Sequence, residues 1–236
     1  MPFSTAVRPP EYFPRPEYAA LMLSVDRFVL ADTFPFSRQG HHNRMRIRTP
    51  QGAGWQWLTV PREGASVGRP LHAVGIDAAQ PWARMHRRAI HLNYGMAPFY
   101  DHYRHRLDAL LDRPWGYLGD LAVATTRWVH EALGGTADLA CASDLPGAPA
   151  SLPAVWAALD APGVLATLPE SAERDAAHLA FAGGAVRVLC FDEPVRRQNF
   201  PGFVGGVSTL DLLFNYGPDA AALLREGVTA WRDVVC

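Results

Sequence analysis

The chain has 236 residues, of which 49% are hydrophobic and 19% charged, and its formal net charge at pH 7 is −1. This composition supplies enough apolar side chains for one large domain or two small ones, and it excludes a disordered or coiled-coil chain. It also gives no bulk charge that would attract DNA, RNA or an anionic membrane. All 22 basic residues are arginine, so no lysine exists for a Schiff base with pyridoxal phosphate or for a Walker A loop.

The first elements in chain order predict a βαβ unit. A short apolar helix over Tyr18–Ser24 precedes a strand over Arg27–Ala31. With a strand before the helix, these segments form the opening of a parallel sheet. Further strands are predicted at Trp55–Pro61 and at Ala73–Ile76.

The middle of the chain is predicted to be mainly helical. Apolar residues at helical spacing cover Trp82–Tyr94, Tyr100–Asp112 and Leu118–Leu133. The third helix is closed by Gly134 and the glycine after it, which suit a C-cap. A strand over Ala137–Ala142 is expected to return the chain to the sheet.

The last third of the chain alternates between predicted helices and strands. The segments are Ala154–Leu159, Val164–Leu168, Ala172–Ala182 and Val186–Phe191, followed by a helix over Ser208–Asn215. Ser208 is expected to be the N-cap of that helix, with Asp211 at N3 as in a capping box. The predicted fold is α/β, with a mostly parallel, doubly wound sheet that is nucleotidyltransferase-like by analogy.

A proline-rich loop divides this arrangement. Leu145–Pro153 contains three prolines and is the predicted seam between two portions. Residues 1–145 form an N-terminal α/β portion that carries the polar site cluster and the helices, and residues 146–236 form a second α/β portion packed on it. A single domain is the alternative.

The most polar stretch of the first half lies between two apolar runs. Asp32 ends the first run, and the cluster His41–Arg46 follows before the second run begins at Trp55. Buried polar groups need partners, and arginine offers a planar fork of donors. The cluster is therefore predicted to be a loop that either faces solvent or binds an anionic or carbonyl-bearing ligand.

Ordered motifs from about residue 8 to residue 217 resemble those of the WbqC-like proteins, bacterial proteins often encoded near surface-glycan or secondary-metabolite genes. The matching residues are Pro10, Tyr12, Phe13, Pro14, Asp32, Phe36, Ser37, Asn43, Arg44, Arg46, Ile47, Thr49, Trp57, Leu58, Thr59, Val60, Pro61, Trp82, His86, Asn93, Tyr94, Ala97, Pro98, Ser208, Leu210, Asp211, Leu212, Leu213, Phe214, Asn215 and Gly217. The resemblance implies a biosynthetic protein of this family.

The chain departs from the family pattern at several positions. Arg8 stands where the pattern has histidine, and Arg15 and Glu17 stand where it has tryptophan and glycine. A glycine-rich segment expected in the second half is replaced by 166–171. If these elements hold a ligand in relatives, this chain binds something else, binds it differently or has lost the activity.

The resemblance implies a set of site residues. His86 fits the pattern and is predicted to be the general base, with Asn43 polarising a carbonyl and Asp32 as a further catalytic residue. Arg44 and Arg46 are predicted to hold a carboxylate or phosphate. The other predicted substrate-binding residues are His42, Trp57, Asn93, Tyr94, Ser208, Asp211 and Asn215.

Neither a metal site nor a cofactor is predicted. His86 and His91 lie on one predicted helix and His102 and His105 on the next, but their spacings match no zinc motif. The cysteines Cys141, Cys190 and Cys236 are widely spaced, which favours reduced thiols in a cytoplasm. Within its β-like run, Cys190 is predicted to be a buried apolar residue rather than a nucleophile.

These observations favour an acyl- or aminoacyl-transferring enzyme that forms amides or esters in surface-glycan or natural-product biosynthesis. Its expected partners are a small-molecule substrate and an acyl or peptidyl carrier protein. The alternatives are a nucleotidyltransferase-like enzyme or nucleotide binder, and a non-catalytic binding protein derived from an enzyme. The chain shows neither a secretory leader nor a membrane span, so a cytoplasmic location is expected.

Overall fold

A six-stranded sheet forms the centre of the fold in a computed structural model that describes residues 3–64, 66–160, 163–179 and 185–234. Five strands are parallel, and the last is antiparallel to its neighbour. The strands of this sheet are β1 (Ser4–Arg8), β2 (Arg27–Leu30), β5 (Asp138–Cys141), β6 (Val164–Thr167), β7 (Val186–Phe191) and β8 (Val228–Val234), in the spatial order β5-β2-β1-β6-β7-β8. A separate antiparallel hairpin pairs β3 (Arg44–Arg48) with β4 (Trp55–Thr59).

Helices cover both faces of this sheet. The described residues form α1 (Pro16–Met22), α2 (Trp82–Tyr94), α3 (Tyr100–Asp112), α4 (Leu118–Ala132), α5 (Leu152–Ala158), α6 (Ala172–Leu179), α7 (Leu210–Tyr216) and α8 (Ala220–Glu226). Strand residues alternate between two apolar cores because successive side chains point to opposite faces. Phe28 packs in the core that contains α1 and α4, whereas Val29 packs in the core that contains α5 and α6.

The predicted α/β class and doubly wound parallel sheet are therefore confirmed. The opening βαβ unit forms as expected, with β1 and β2 parallel on either side of α1. The helices α2 and α3 have the predicted bounds, and the middle of the chain is helical. The predicted helix at Ala172–Ala182 is α6, and its last three residues lie outside the described part of the chain.

The direction of strand order reverses at β1. From β1 the chain continues outward through β2 to β5, and it later returns to place β6 on the opposite side of β1. Loops leaving the carboxyl ends of β1 and β6 therefore diverge, which opens a crevice between them. Strands from both 1–145 and 146–236 pair within this one sheet.

Two predicted elements are wrong. The polar cluster that begins at His41 is not a loop throughout, because Arg44–Arg48 is strand β3. Its arginines at 44 and 46 alternate with buried Met45 and Ile47. The polar residues of this segment therefore form one face of an amphipathic strand and not a polar loop. The strand predicted at Ala73–Ile76 is instead a 3₁₀ turn, Leu71–Ala73, followed by isolated bridges.

The capping box predicted for the late helix forms only in part. The Ser208 hydroxyl oxygen accepts a hydrogen bond from the Leu210 backbone N–H at 3.2 Å, but the Ser208 N–H donates to the Arg46 carbonyl and not to Asp211. Helix α7 begins at Leu210, and the Ser208 hydroxyl donates a hydrogen bond to the Phe13 carbonyl at 3.0 Å. Asp211 is fully buried and accepts hydrogen bonds from Arg196 at 3.1 Å and from Gln198 at 3.0 Å. Burial raises the pKa of Asp211, and the Arg196 charge and hydrogen bonds oppose that rise. The aspartate therefore anchors the 192–209 loop instead of capping a helix.

This anchor makes a stability prediction. Arg196→Ala leaves the Asp211 carboxylate buried without its cation, which costs about 3 to 5 kcal/mol of unfolding free energy. Arg197→Ala is the matched control, since Arg197 is exposed, and it should change stability by less than about 0.5 kcal/mol. Urea denaturation of both variants measures the difference, and equal effects would show that the buried pair does not hold the loop.

Candidate functional site

A cavity of about 590 Å³ lies at the carboxyl ends of β1 and β6, and we call it the switch cavity. Its walls come from the end of β1, the loop after β2, the start of α5 and the region around α6. Polar and charged side chains dominate one part of the lining: Arg8, Glu11, Arg15, Ser37, Gln39, His41, His42, Ser151, Glu170, Arg174, Asp175 and His178. This is the position at which open doubly wound sheets bind their ligands.

A network of ion pairs joins the walls of the switch cavity. Arg8 at the end of β1 donates hydrogen bonds to Ser171 and, at 2.9 Å, to Glu170, which both follow β6. Arg15 pairs with Glu11 at 2.8 Å and with Glu17 at 2.7 Å, and it lies 3.6 Å from Glu170. Glu170 therefore bridges two guanidinium groups across the crevice.

The positions that depart from the family pattern are thus physically linked. Arg8, Arg15 and Glu17 belong to this single network together with Glu170 and Ser171. Changing one of them alone would leave a buried or half-buried charge without its partner. These five side chains therefore depend on one another in the cavity wall.

The pKa values of Glu11 and Glu17, the two carboxylates closest to Arg15, shift in opposite directions. Burial acts to raise the pKa of Glu11, but the Arg15 charge and hydrogen bonds outweigh it, so the pKa of Glu11 is lowered. Burial raises the pKa of Glu17, and the Arg15 charge only partly offsets this rise. Glu11 is therefore a firmly ionised group beside the cavity.

Two neighbouring histidines line the switch cavity. Burial lowers the pKa of His41 to about 4, although the Glu11 charge acts to raise it. Burial also lowers the pKa of His42, whose Nδ1 lies 3.2 Å from the Pro10 carbonyl oxygen. Both imidazoles are neutral at physiological pH, and each retains a nitrogen lone pair.

Stacked arginine and tryptophan side chains extend from the cavity rim along the β3–β4 hairpin. The His41 ring lies 5.6 Å from the Trp57 ring. The Arg44 guanidinium lies 4.5 Å from the Trp57 ring centroid, and the Arg46 guanidinium lies 4.7 Å from that of Trp55 and 5.3 Å from that of Trp57. We call Arg44, Arg46, Trp55 and Trp57 the Arg–Trp ladder.

The ladder holds two guanidinium groups in place without neutralising them. Arg44 donates to the carbonyl oxygens of Gly40 at 3.3 Å and Gln39 at 3.1 Å. Within the part of the chain that the structure describes, neither Arg44 nor Arg46 has a carboxylate within 4.0 Å. Cation–π stacking orients the positive charge of both guanidinium groups on the tryptophan rings.

Several predicted site residues lie away from the switch cavity. His86 is buried on the inner face of α2, with its Nδ1 at 2.9 Å from the Tyr12 hydroxyl oxygen. The Asn43 amide donates to the Val60 carbonyl at 2.9 Å. Asp32 accepts a hydrogen bond from the Ser143 backbone N–H at 3.0 Å.

The remaining predicted residues form internal contacts near α2 and α7. Asn93 donates to the Ala89 carbonyl at 2.8 Å, and Asn215 donates to the Asp211 carbonyl at 2.8 Å. The buried Tyr94 hydroxyl accepts a hydrogen bond from the Arg48 backbone N–H at 2.9 Å. The bonds of Asn93 and Asn215 stay within their own helices, whereas Tyr94 joins α2 to the hairpin and the Ser208 backbone N–H donates to the Arg46 carbonyl of β3. His42, Arg44, Arg46 and Trp57 lie at the cavity or its rim.

Five cavity residues were not predicted from the sequence as site residues: Glu11, Glu170, Arg174, Asp175 and His178. Glu11 stands shortly after a strand that ends in Arg8, and that position was the one available signal. The others approach β1 only because β6 pairs with it, at a sequence separation of more than 150 residues.

The cysteines and the possible metal ligands add little to this site. Cys141 is buried and Cys190 half-buried, with the Arg232 Nε at 3.0 Å from the Cys190 sulfur, and Cys236 lies outside the described residues. Across the described ranges, no three histidine, cysteine, aspartate or glutamate side chains are grouped to hold a metal ion. Over the same residues, no helix has both the length and the apolarity to cross a membrane.

The fold and the cavity define an α/β protein with a polar cavity at the reversal of a doubly wound sheet. Residues 9–223 match the family model of the WbqC-like protein family, and the chain belongs to that family. It is similar to the uncharacterized protein Rv1507c of Mycobacterium tuberculosis (strain ATCC 25618 / H37Rv), at 31% identity over 237 residues covering 91% of this chain and 94% of that protein. No solved structure matches the chain, so the nucleotidyltransferase analogy stays a prediction.

The burial of His86 generates a pH-dependent stability prediction. Burial lowers the folded-state pKa of His86 to about 4, with a hydrogen bond to the Thr59 backbone acting in the opposite direction. The unfolded chain binds a proton near pH 6.5, so the neutral buried histidine stabilises the fold fully above pH 6.5 and loses this contribution as pH falls toward 4. Between pH 7 and pH 4.5 the loss is about 2 to 3 kcal/mol.

Urea denaturation at the two pH values tests this. The wild type should lose about 2 kcal/mol more than His86→Gln between pH 7 and pH 4.5. His105→Gln, at an exposed position, should follow the wild type. Parallel losses in all three proteins would mean that His86 is solvated in the folded state.

Proposed function

We propose that this protein is an acyl- or aminoacyl-transferring enzyme of surface-glycan or natural-product biosynthesis, and that the transfer takes place in the switch cavity. The observation that carries the proposal is the presence, in one cavity at the sheet reversal, of a neutral imidazole, an ionised carboxylate and the largely exposed guanidinium group of Arg174. Group transfer requires a proton acceptor and positive charge near a developing oxyanion. The cytoplasmic location and the surface-glycan or natural-product pathway that the sequence leads us to expect are also part of this proposal.

We assign the proton transfer to His41 rather than His86, because His41 lines the cavity together with His42 and His178, whereas His86 lies away from it. In the proposed step, His41 accepts the proton of an amine or hydroxyl acceptor as that group attacks the acyl carbon of a thioester. The new carbon–nitrogen or carbon–oxygen bond forms, the carbon–sulfur bond breaks, and the proton passes from His41 to the departing thiolate. Glu11 stabilises the transient imidazolium, since its charge already acts to raise the pKa of His41.

The arginines have two further roles in the proposed reaction, one inside the cavity and one at its rim. Arg174, whose side chain is 65% exposed and lies 3.3 Å from Asp175, supplies positive charge to the carbonyl oxygen in the cavity. Arg44 and Arg46 hold a carboxylate or phosphate of the substrate at the rim, because their stacking on tryptophan fixes their orientation. Asn43 takes no part in this scheme because its amide nitrogen is bound to Val60.

Nucleotide binding is the second candidate, and one observation favours it. The cavity stands where doubly wound proteins place nucleotides, and it contains three arginines, Arg8, Arg15 and Arg174. The ion pairs of Arg8 and Arg15 with Glu170, Glu11 and Glu17 weigh against it, because they neutralise these guanidinium groups within the protein.

Histidine variants test the proposed step. With an acyl-carrier thioester as donor and an amine as acceptor, His41→Gln should reduce the transfer rate by about 10² to 10⁴. The wild-type rate should stay level through pH 6.5 and fall only as pH approaches 4, where the His41 pKa lies. His86→Gln is the matched control and should retain the rate at pH 7, where its stability suffices.

Arg46→Ala completes the same experiment. It should raise KM by about tenfold to a hundredfold at an unchanged melting temperature, as expected for the loss of a charge-assisted hydrogen bond to substrate. A fully active His41→Gln variant would remove the cavity from the reaction. A thermal shift with nucleotides and none with thioesters would favour the second candidate.

A further inference from the structure

The outer surface of α2 combines exposed apolar side chains with unpaired arginines. Met85, Leu92 and Met96 are 62%, 69% and 97% exposed. They are separated by seven and four residues and therefore follow one side of the helix and the turn after it. The opposite side is buried through His86, Ile90 and others, so α2 is apolar on two sides although only one of them meets the core.

Two of the arginines on this surface carry uncompensated charge. Arg87 pairs with Asp112 at 2.6 Å, and Arg104 of α3 lies 3.6 Å from Asp101. Arg84 and Arg88 are exposed, and over the described ranges neither has a carboxylate within 4.0 Å. We call Arg84, Met85, Arg88, Leu92 and Met96 the α2 face.

A groove runs beside the α2 face. It has a volume of about 300 Å³ and lies between α2 and α3, with Arg84, Arg88, His91 and Tyr100 among its lining residues. Its lining is mostly charged, and Met85, Leu92 and Met96 lie beside it and not within it. An amphipathic helix laid along this surface would place its apolar side on these three residues and its polar side over the groove. Charge complementarity requires acidic residues on that helix opposite Arg84 and Arg88.

We propose that the α2 face is the docking surface for an acidic amphipathic helix of an acyl carrier protein, which delivers the thioester to this chain. The proposal rests on the proposed function for the identity of the partner. The exposed Met85, Leu92 and Met96 contact the apolar side of that helix. Arg84 and Arg88 contact its carboxylates, which steer the encounter and fix the orientation.

The charges on the α2 face argue against other occupants. A two-fold contact with a second copy, centred between Met85 and Leu92, would bring each Arg88 close to its counterpart, and like charges repel. A membrane surface would be held by three apolar side chains and two unpaired arginines, fewer signals than stable attachment requires. A single acidic helix satisfies both the apolar strip and the charges.

Titration of a fluorescently labelled bacterial holo-acyl carrier protein with the full chain tests the proposal by anisotropy. The wild type should show saturable binding that weakens as salt increases. Arg84→Glu/Arg88→Glu should weaken binding by at least about tenfold, through like-charge repulsion. Met85→Ser/Leu92→Ser should weaken it with little change in salt dependence.

Matched variants separate the surface from total charge. Arg197→Glu/Arg225→Glu makes the same change in net charge at exposed positions elsewhere and should bind as the wild type does. Equal weakening by this control, or no saturable binding of the carrier by the wild type, would overturn the proposal. So would cosedimentation with 3:1 phosphatidylcholine–phosphatidylglycerol vesicles without carrier binding, or a dimer that Met85→Ser/Leu92→Ser abolishes.

The same titration distinguishes the failure of docking from the failure of the proposed function. His41→Gln should bind the carrier with wild-type affinity while losing transfer, because His41 is not part of the α2 face. Carrier binding by a wild type that transfers no acyl group would support the docking surface and contradict the proposed function. Acyl transfer from small thioesters, without binding of the carrier protein, would support the proposed function and contradict the docking surface.

Discussion

The buried guanidinium of Arg8 at the end of the first strand is the charge around which the switch cavity is built. A cation in this position is costly unless partners satisfy it, and Glu170 and Ser171 do so from the loop after β6. The pairing joins the two carboxyl ends that the reversal of strand order separates. Arg15 adds a second cation on the same Glu170, so the mouth of the cavity is defined by charges that depend on one another.

A second buried polar system positions the hairpin and its ladder. Arg48 donates through its Nε to Gln198 at 3.0 Å, and Gln198 in turn donates to Asp211. Tyr94 contacts the backbone of Arg48, which joins α2 to β3. With its buried side fixed in this way, the hairpin presents Arg44 and Arg46 on the other side. Tyr94 and Asp211, which the family resemblance indicates as site residues, therefore hold the buried side of the hairpin that carries the ladder.

The sequence predicted those helices and strands in which the spacing of apolar residues along the chain matches the buried face of the element. Helix α2 has the predicted bounds because Trp82, His86, Ile90 and Tyr94 recur every four residues. That same spacing shows why His86 is buried, since it lies among apolar neighbours on the inner face. Strand β3 was not predicted, because its arginines stack on tryptophans of the neighbouring strand. The local sequence of β3 does not show such a cross-strand contact. The cavity wall from Glu170 to His178 depends on the pairing of β6 with β1, which no local pattern specifies.

Hydrogen–deuterium exchange of the full chain, with and without the acyl-carrier thioester, tests most directly whether the switch cavity is the site of ligand binding. Bound thioester should slow exchange in peptides covering 8–15, 34–42 and 168–178, which form the cavity walls. Peptides covering 93–99 and 208–215 should exchange unchanged, because their polar side chains are occupied within the protein. Protection of 93–99 and 208–215 without protection of the cavity walls would contradict this account.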